Sequence, residues 1–134
     1  MNFSSLPKPK IKHASPTQCK GFTIEAWVVT QLQSKGLQLL FQNYRSKFGE
    51  IDIIMRHKND LAFIEVRYRE NIDLGDPLET ITPKKEQKII RTAEYFLLNH
   101  PEWTALTPRF DAISVVGLPP TLKMNWILDA FSVQ

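Results

Sequence analysis

The alternation of apolar and polar residues predicts a β-hairpin near the middle of the chain. Two apolar runs of strand length, IDIIM and LAFIEV, are rich in β-branched residues and are separated by the polar segment HKND. Polar, turn-forming residues of this kind suit a hairpin loop. A loop centred on Lys58-Asn59 pairs His57 with Asp60 and, farther along, places Asp52 opposite Glu65.

This register gives the hairpin an acidic face that has two interpretations. Directly opposite residues have Cβ atoms about 4.5–5.5 Å apart, and like charges there repel unless something compensates them. A Mg²⁺ or Mn²⁺ ion would compensate Asp52 and Glu65, since hard cations prefer carboxylate oxygens. Alternatively the hairpin lies at the surface and both carboxylates point to water. Ile54 and Phe63 share the acidic face, as in a cleft wall, and Glu50 is expected opposite Arg67.

The segments around the hairpin complete an α/β pattern. Helical periodicity covers residues 17–35 and ends at Gly36, and the apolar segment LQLLFQNY predicts a strand that makes an antiparallel meander with the hairpin. Thr82 as N-cap and Pro83 as first helical residue start a second helix, which extends to about Leu98. Residues 109–116 and 122–128 predict two more strands. The fold expected is one α/β domain whose central mixed sheet of about five strands is flanked by helices.

Two acidic residues and one row of basic residues in these elements each have two interpretations. Glu25 borders the apolar stripe of the first helix, as either a surface residue or a ligand. Asp111 interrupts an apolar run, as either a buried partner of Arg109 or a metal ligand. The second helix carries a basic row that either tracks a phosphate backbone or is merely solvated. The row consists of Lys84, Lys88 and Arg91, with Lys85 adjacent and Tyr95 continuing it.

Composition narrows the class of protein. The chain has 134 residues, of which 43% are hydrophobic and 23% charged, which suits a single globular domain. It has no apolar run of membrane-spanning length and no signal-peptide pattern, so we expect a cytoplasmic protein that does not bind membranes. Cys19 is the only cysteine, and the three histidines are isolated, which excludes an intrachain disulfide and gives no support to a zinc site or a catalytic triad.

The net charge of +3 comes from lysines in the first 20 residues. Lys8, Lys10, Lys12 and Lys20 are accompanied by no acid in residues 1–20, whereas the rest of the chain has 13 basic and 14 acidic side chains. Prolines alternate with these lysines, so residues 1–18 are predicted to form a flexible basic arm and residues 19–134 the folded domain. The arm either binds phosphate or only aids solubility.

The hairpin also carries a family resemblance. Its segments GEID and FIEVRYR resemble the GEID and FVEVK-x-R blocks of the YraN-like family of uncharacterised bacterial proteins. That family is similar in turn to the restriction-endonuclease-like, or PD-(D/E)xK, nucleases and to archaeal Holliday-junction resolvases. The resemblance extends from about residue 21 to the C-terminus. It includes Gly21, Glu25, Lys85, the segment RFD at Arg109 and the closing AF at Ala130.

The resemblance implies a restriction-endonuclease-like fold and roles for individual residues. Asp52 and Glu65, joined by Glu25 from the first helix, would bind one or two Mg²⁺ or Mn²⁺ ions. Arg67 stands where the superfamily has its catalytic lysine. Arginine stays protonated, so Arg67 can stabilise phosphate charge but is a poor group for proton transfer.

The prediction from residues and resemblance together is a metal-dependent nuclease. Its substrate would be DNA rather than RNA, with a branched or flapped structure favoured, because nothing resembles a sequence-reading module. The alternative is a non-catalytic module of the same fold that binds nucleic acid or a protein. The residues expected to contact nucleic acid are Lys84, Lys85, Lys88, Arg91 and Arg69.

Overall fold

A computed structural model describes residues 22–132, which form two α-helices and a five-stranded sheet. The predicted arm over residues 1–18 lies outside the described residues. In chain order the elements are α1 (Ile24–Ser34), β1 (Gln38–Ser46), β2 (Gly49–His57), β3 (Asp60–Arg69), α2 (Pro83–Asn99), β4 (Thr107–Leu118) and β5 (Thr121–Phe131). Short 3-10 turns lie at Ile72–Leu74, Pro77–Thr80 and Pro101–Trp103.

The sheet is mixed, with its strands in the order β1-β2-β3-β4-β5. The first three strands form the predicted antiparallel meander, β3 pairs in parallel with β4, and β4 pairs in antiparallel fashion with β5. The parallel pair requires a crossover, and α2 lies in that connection. The predicted α/β architecture is confirmed and is consistent with a restriction-endonuclease-like fold.

Side-chain caps set where each helix begins. Thr82 Oγ1 accepts a hydrogen bond from Lys85 N at 3.2 Å, so α2 begins at Pro83 as predicted. Thr23 is extended and its Oγ1 accepts from Ala26 N at 2.9 Å, which starts α1 at Ile24. The first helix was therefore predicted to begin too early, because the apolar periodicity includes Phe22 but the cap lies after it.

The hairpin is the centre of the domain, and each of its faces is covered by one helix. On one face Val28 and Leu32 of α1 belong to a core cluster with β2 and β3; on the other, Phe96 of α2 packs with Ile54 and Phe63, which have 0% exposure. The interpretation of a surface hairpin is therefore wrong. A strand pair buried on both faces is typical of a sheet between helical layers.

The predicted hairpin register is confirmed up to the acidic residues. His57 pairs with Asp60, and the pairing continues to Ile53 with Ile64, where it ends. Asp52 and Glu65 are not a ladder pair. Glu50 does not pair with Arg67 either, because the β2–β3 ladder has already ended at Ile53. The ladder between the two central strands thus ends next to Asp52 and Glu65, the residues predicted to bind metal.

None of the helices within residues 22–132 combines the length and the apolarity needed to cross a membrane.

Candidate functional site

Asp52 lies at the point where β2 leaves β3. Its Oδ2 accepts a hydrogen bond from the backbone N–H of Val66 at 2.8 Å. A backbone donor buried at the end of a ladder needs an acceptor, and here a carboxylate takes the place of a carbonyl on β2. The bond holds the Asp52 carboxylate against β3, next to the residue that precedes Val66, which is Glu65.

Glu65 and Arg67 alternate onto one face of β3 and form an ion pair. Arg67 Nη2 lies 2.6 Å from Glu65 Oε2, and the two side chains are 23% and 11% exposed. The Arg67 Nε atom is buried and has no hydrogen-bond partner within the described part of the chain. The Arg67 guanidinium therefore contributes to neutralising Glu65, and the Val66 N–H stabilises the Asp52 carboxylate.

Glu25 reaches the start of β2 from the first turn of α1. With its amide nitrogen turned toward the carboxylates, Asn43 donates to Glu25 Oε2 at 3.1 Å and to Glu50 Oε1 at 3.0 Å. Glu50 also lies 3.4 Å from Arg45 Nε. Glu25 is thus held beside Glu50, two residues before Asp52 on the same strand.

Asn43 was not among the site residues predicted from the sequence. This residue has a φ of 52°, a left-handed conformation that asparagine tolerates better than most residues. An asparagine near the end of a predicted strand is a weak signal for such a kink, and the sequence contains no clue to its partners. Asn43 is the residue that joins α1 to the acidic end of β2.

The structure thus places Glu25, Asp52, Glu65 and Arg67 around the ends of β2 and β3. Within residues 22–132, no group of three or more His, Cys, Asp or Glu side chains is arranged as a metal site. Metal binding by Asp52, Glu65 and Glu25 stays a prediction.

The predicted basic row on α2 meets the β1–β2 turn. Lys84, Lys85, Lys88 and Arg91 are all exposed, and the side chain of Lys88 lies next to Gly49, where an added Cβ would be 3.5 Å from Lys88 Cβ. Ser46 Oγ donates to Thr92 Oγ1 at 3.3 Å, which anchors the helix over the turn. We call the surface formed by Lys47, Lys84, Lys88 and Arg91 the basic ridge.

Two of the residues predicted to contact nucleic acid have partners within the chain. Lys85 Nζ donates to Thr80 O at 3.2 Å. Arg69 Nη1 donates to Leu74 O, which ties the end of β3 to the turn that follows it. Their contact with nucleic acid stays a prediction.

Asp111 is the buried partner of Arg109, as one of its two interpretations proposed. Arg109 donates from Nε and Nη2 to the two Asp111 oxygens at 2.9 and 2.8 Å, and from Nη1 to Asp60 Oδ2 at 2.8 Å. Trp126 Nε1 and Asp129 N complete the shell of Asp111 at 3.0 and 2.9 Å. Each Asp111 oxygen therefore accepts two hydrogen bonds, which gives this carboxylate a structural role.

The pKa values of three groups reflect burial and neighbouring charges. Burial alone would lower the pKa of Arg109, but its hydrogen bonds and the charges of Asp111 and Asp60 raise it above the ordinary value. His57 lies beside this network, and burial, followed by the Arg109 charge, lowers its pKa. Near the candidate site, burial and the Glu70 charge raise the pKa of Tyr68.

Comparison with known proteins gives a consistent family. A model of uncharacterised protein family UPF0102 matches residues 24–115. A UPF0102 protein of Psychromonas ingrahamii is 42% identical over 123 residues, which cover 92% of this chain and 96% of that protein. One from Coxiella burnetii is 39% identical over 120 residues, 90% of this chain and 98% of its own length. One from Stutzerimonas stutzeri is 35% identical over 117 residues, 87% and 98% of the two chains.

The matched segment contains the hairpin, both helices and most of β4, so the similarity includes every residue of the candidate site. The chain belongs to uncharacterised protein family UPF0102, which is the YraN-like family that its GEID and FIEVRYR segments resemble.

Proposed function

We propose that this protein is a metal-dependent nuclease that cleaves DNA phosphodiesters, with branched or flapped DNA as its preferred substrate. The observation that carries the proposal is the position of Asp52, whose carboxylate accepts from the backbone of Val66, the neighbour of Glu65, where the β2–β3 pairing ends. Acidic side chains on rigid, adjoining strands are what a hard cation requires of its protein ligands.

The donor set suits Mg²⁺ or Mn²⁺. Asp52 and Glu65 offer carboxylate oxygens, and Glu25 lies near the same strand end through Asn43. Histidine and cysteine ligands, which softer metals prefer, take no part in this set. When bound, such an ion supplies Lewis acidity that polarises the phosphodiester and lowers the pKa of a bound water.

Other side chains of this site would hold and stabilise the phosphate. Arg67 uses Nη2 for Glu65 and keeps further guanidinium donors for phosphate oxygens. Because arginine does not release a proton, its contribution is charge stabilisation in the transition state. The basic ridge would bind the flanking backbone, and its contacts carry no base sequence information.

A second candidate function is binding of nucleic acid without cleavage. The observation that favours it is the ion pair of 2.6 Å between Arg67 and Glu65, which engages a proposed metal ligand with a residue unable to act as a base. In that case the fold and the basic ridge would bind branched DNA or a partner, and no strand would be cut.

The first prediction concerns Asp52. Asp52→Ala should abolish both Mn²⁺ binding, measured by calorimetry, and cleavage of a panel of linear, flapped and four-way DNA. Asp52→Asn should do the same while keeping an acceptor for Val66 N–H, which separates loss of charge from loss of the backbone contact. Glu102→Gln, an exposed carboxylate outside the site, is the matched control.

The outcomes of these measurements distinguish a nuclease from a protein that binds nucleic acid without cutting it. Saturable metal binding and cleavage that both variants lose would support a nuclease. Wild-type affinity for Mn²⁺ in Asp52→Asn would exclude the proposed metal site. DNA binding without cleavage in the presence of Mn²⁺ would favour the non-cutting alternative.

A further inference from the structure

A cleft of about 530 Å³ lies beside the candidate site, between the end of the sheet and the segment that follows β3. Its volume is in the range of small-molecule sites. On its floor are Ser114, Val116 and Asn125, and on its wall are Asn71, Ile72 and Asp76. We call it the terminal cleft.

The terminal cleft is connected to Arg67 by the register of the sheet. Arg67 is the lateral partner of Ser114 in the parallel pair, and Ser114 is the partner of Asn125 on β5. Partners in neighbouring strands point to the same face, and each strand spacing is about 4.8 Å. The three residues therefore form a row on one face of the sheet, with the backbones of Arg67 and Asn125 two strand spacings, or roughly 10 Å, apart.

The lining of the cleft suits a flat, neutral ring with polar edges. Ile72 and Val116 offer apolar surface, and Asn125 offers an amide that both donates and accepts. Ser114 is 5% exposed, and its hydroxyl can both donate and accept where the side chain lines the cleft.

The charges of the lining disfavour a phosphate in the cleft itself. Glu70 and Asp76 are carboxylates, and Lys123 is the one cation among the residues that line it. Carboxylates and amides instead accept from the N–H groups on the edge of a nucleobase. The wall is held in place, because Asn71 Oδ1 accepts from Asp73 N at 3.0 Å and Asp76 Oδ1 from Leu78 N at 2.9 Å.

We infer that the terminal cleft binds one unpaired nucleobase of a DNA strand whose adjacent phosphate lies at Arg67. This inference rests on the proposed nucleic-acid substrate and adds to it a reason for preferring flapped DNA, since a paired base is not available to enter a cleft.

The test is a binding measurement with the full chain and a chelator, so that no strand is cut. Fluorescence anisotropy would compare a duplex carrying a single-stranded flap with the same duplex whose first flap nucleotide is abasic. Stacking and edge contacts to one base are worth enough that removing the base should weaken wild-type binding about tenfold. In Ser114→Ala and Asn125→Ala the same removal should cost less than about threefold.

Gln33→Ala, an exposed amide on α1, is the matched control and should keep the tenfold difference. Equal wild-type affinity for the intact and abasic flaps would overturn the inference, as would a full tenfold difference in both cleft variants. Displacement of flapped DNA by a nucleoside monophosphate at a similar concentration would also overturn it, since the cleft would then take free nucleotides. Loss of cleavage in Asp52→Asn does not depend on these results, so the failure of either proposal is recognised separately.

Discussion

Arg67 offsets part of the negative charge at the acidic end of the hairpin. A lysine at this position would offer a compact charge that can lose its proton, whereas the Arg67 guanidinium is planar, permanently charged and paired with Glu65 at 2.6 Å. The arginine therefore lowers the repulsion between neighbouring carboxylates at the cost of a group that could transfer a proton. Within the proposed nuclease, this residue limits the rate rather than the binding of substrate.

A substitution tests that view of Arg67. Arg67→Lys should raise Mn²⁺-dependent cleavage by about tenfold or more, because positioned acid–base groups contribute about 10²–10⁴-fold to rates. The measurement is a single-turnover rate across a range of pH, and the gain should grow with pH because only a deprotonated lysine acts as a base. Arg56→Lys, an exposed arginine outside the site, should leave the rate unchanged. An equal or lower rate in Arg67→Lys would contradict the view that the lysine is what the site lacks.

Asp111 illustrates a carboxylate of the opposite kind, used for structure. It has 0% exposure and is bound on both oxygens by Arg109, Trp126 and the backbone of Asp129. Asp111→Asn would leave a buried guanidinium with less opposing charge, so the free energy of unfolding should fall by about 3 kcal/mol. Urea denaturation followed by tryptophan fluorescence measures the change.

The control for Asp111→Asn is a substitution in a solvent-exposed ion pair. Arg45 and Glu50 are 3.4 Å apart with side chains 61% and 37% exposed, and Arg45→Gln should cost less than about 1 kcal/mol. A loss of under 1 kcal/mol in Asp111→Asn would show that Arg109 is compensated by Asp60 alone.

At the scale of elements, the separation of β2 from β3 creates the site. β2 pairs with β1 along nearly its whole length but with β3 only from Ile53 onward, and beyond that point Val66 N–H donates to Asp52. Glycine and serine at the β1–β2 turn allow α2 to approach, because Ser46 bonds to Thr92 and Gly49 has no side chain to meet Lys88. The basic ridge is a product of that packing.

The basic ridge leads to a prediction about how DNA affinity depends on salt concentration. If Lys88 contacts a phosphate, Lys88→Ala should weaken binding to DNA of any sequence and reduce the slope of log affinity against log salt by about 1. Binding would be measured by anisotropy at several salt concentrations. Lys35→Ala is the matched control, since Lys35 follows α1 on the opposite face of the sheet and should leave the slope unchanged. Equal slopes for wild type and Lys88→Ala would show that this part of the ridge is only solvated.

At the scale of the whole molecule, the charge is divided unevenly. The chain has a net charge of +3, yet the positive excess lies in residues 1–20, before the described domain. A domain near neutrality with one local ridge binds a polyanion weakly by itself, because affinity for DNA grows with the number of phosphates neutralised. A basic arm at one end would extend that contact.

Removing the arm tests whether it serves binding. Deletion of residues 1–18 should lower DNA affinity and reduce the salt slope by about 0.9 for each lysine that neutralises a phosphate. Replacing Lys8, Lys10 and Lys12 with glutamine in the full chain is the control for length, and it should reproduce the effect. An unchanged salt slope in both proteins would assign the arm to solubility instead.

Several features of this protein could be predicted from its sequence because they depend on neighbours along the chain. The α2 start follows from Thr82 and Pro83, and the hairpin register from the short polar loop at Lys58-Asn59. The pairing of Arg109 with Asp111 follows from their position two apart on one buried strand, where a charge needs a partner. The order of strands was predicted only as a meander and a final pair.

Tertiary structure decided what surrounds these features, since it depends on contacts between residues far apart in the chain. Local pattern predicts that β2 and β3 pair, but only the tertiary structure decides that this pairing ends at Ile53 and Ile64, so that Asp52 binds Val66 N–H instead of facing Glu65. Asn43 and the terminal cleft likewise arise only when α1, β4 and β5 are in place. The sequence by itself determined the elements and the acidic residues at their ends; the packing of distant elements decided which of those residues meet.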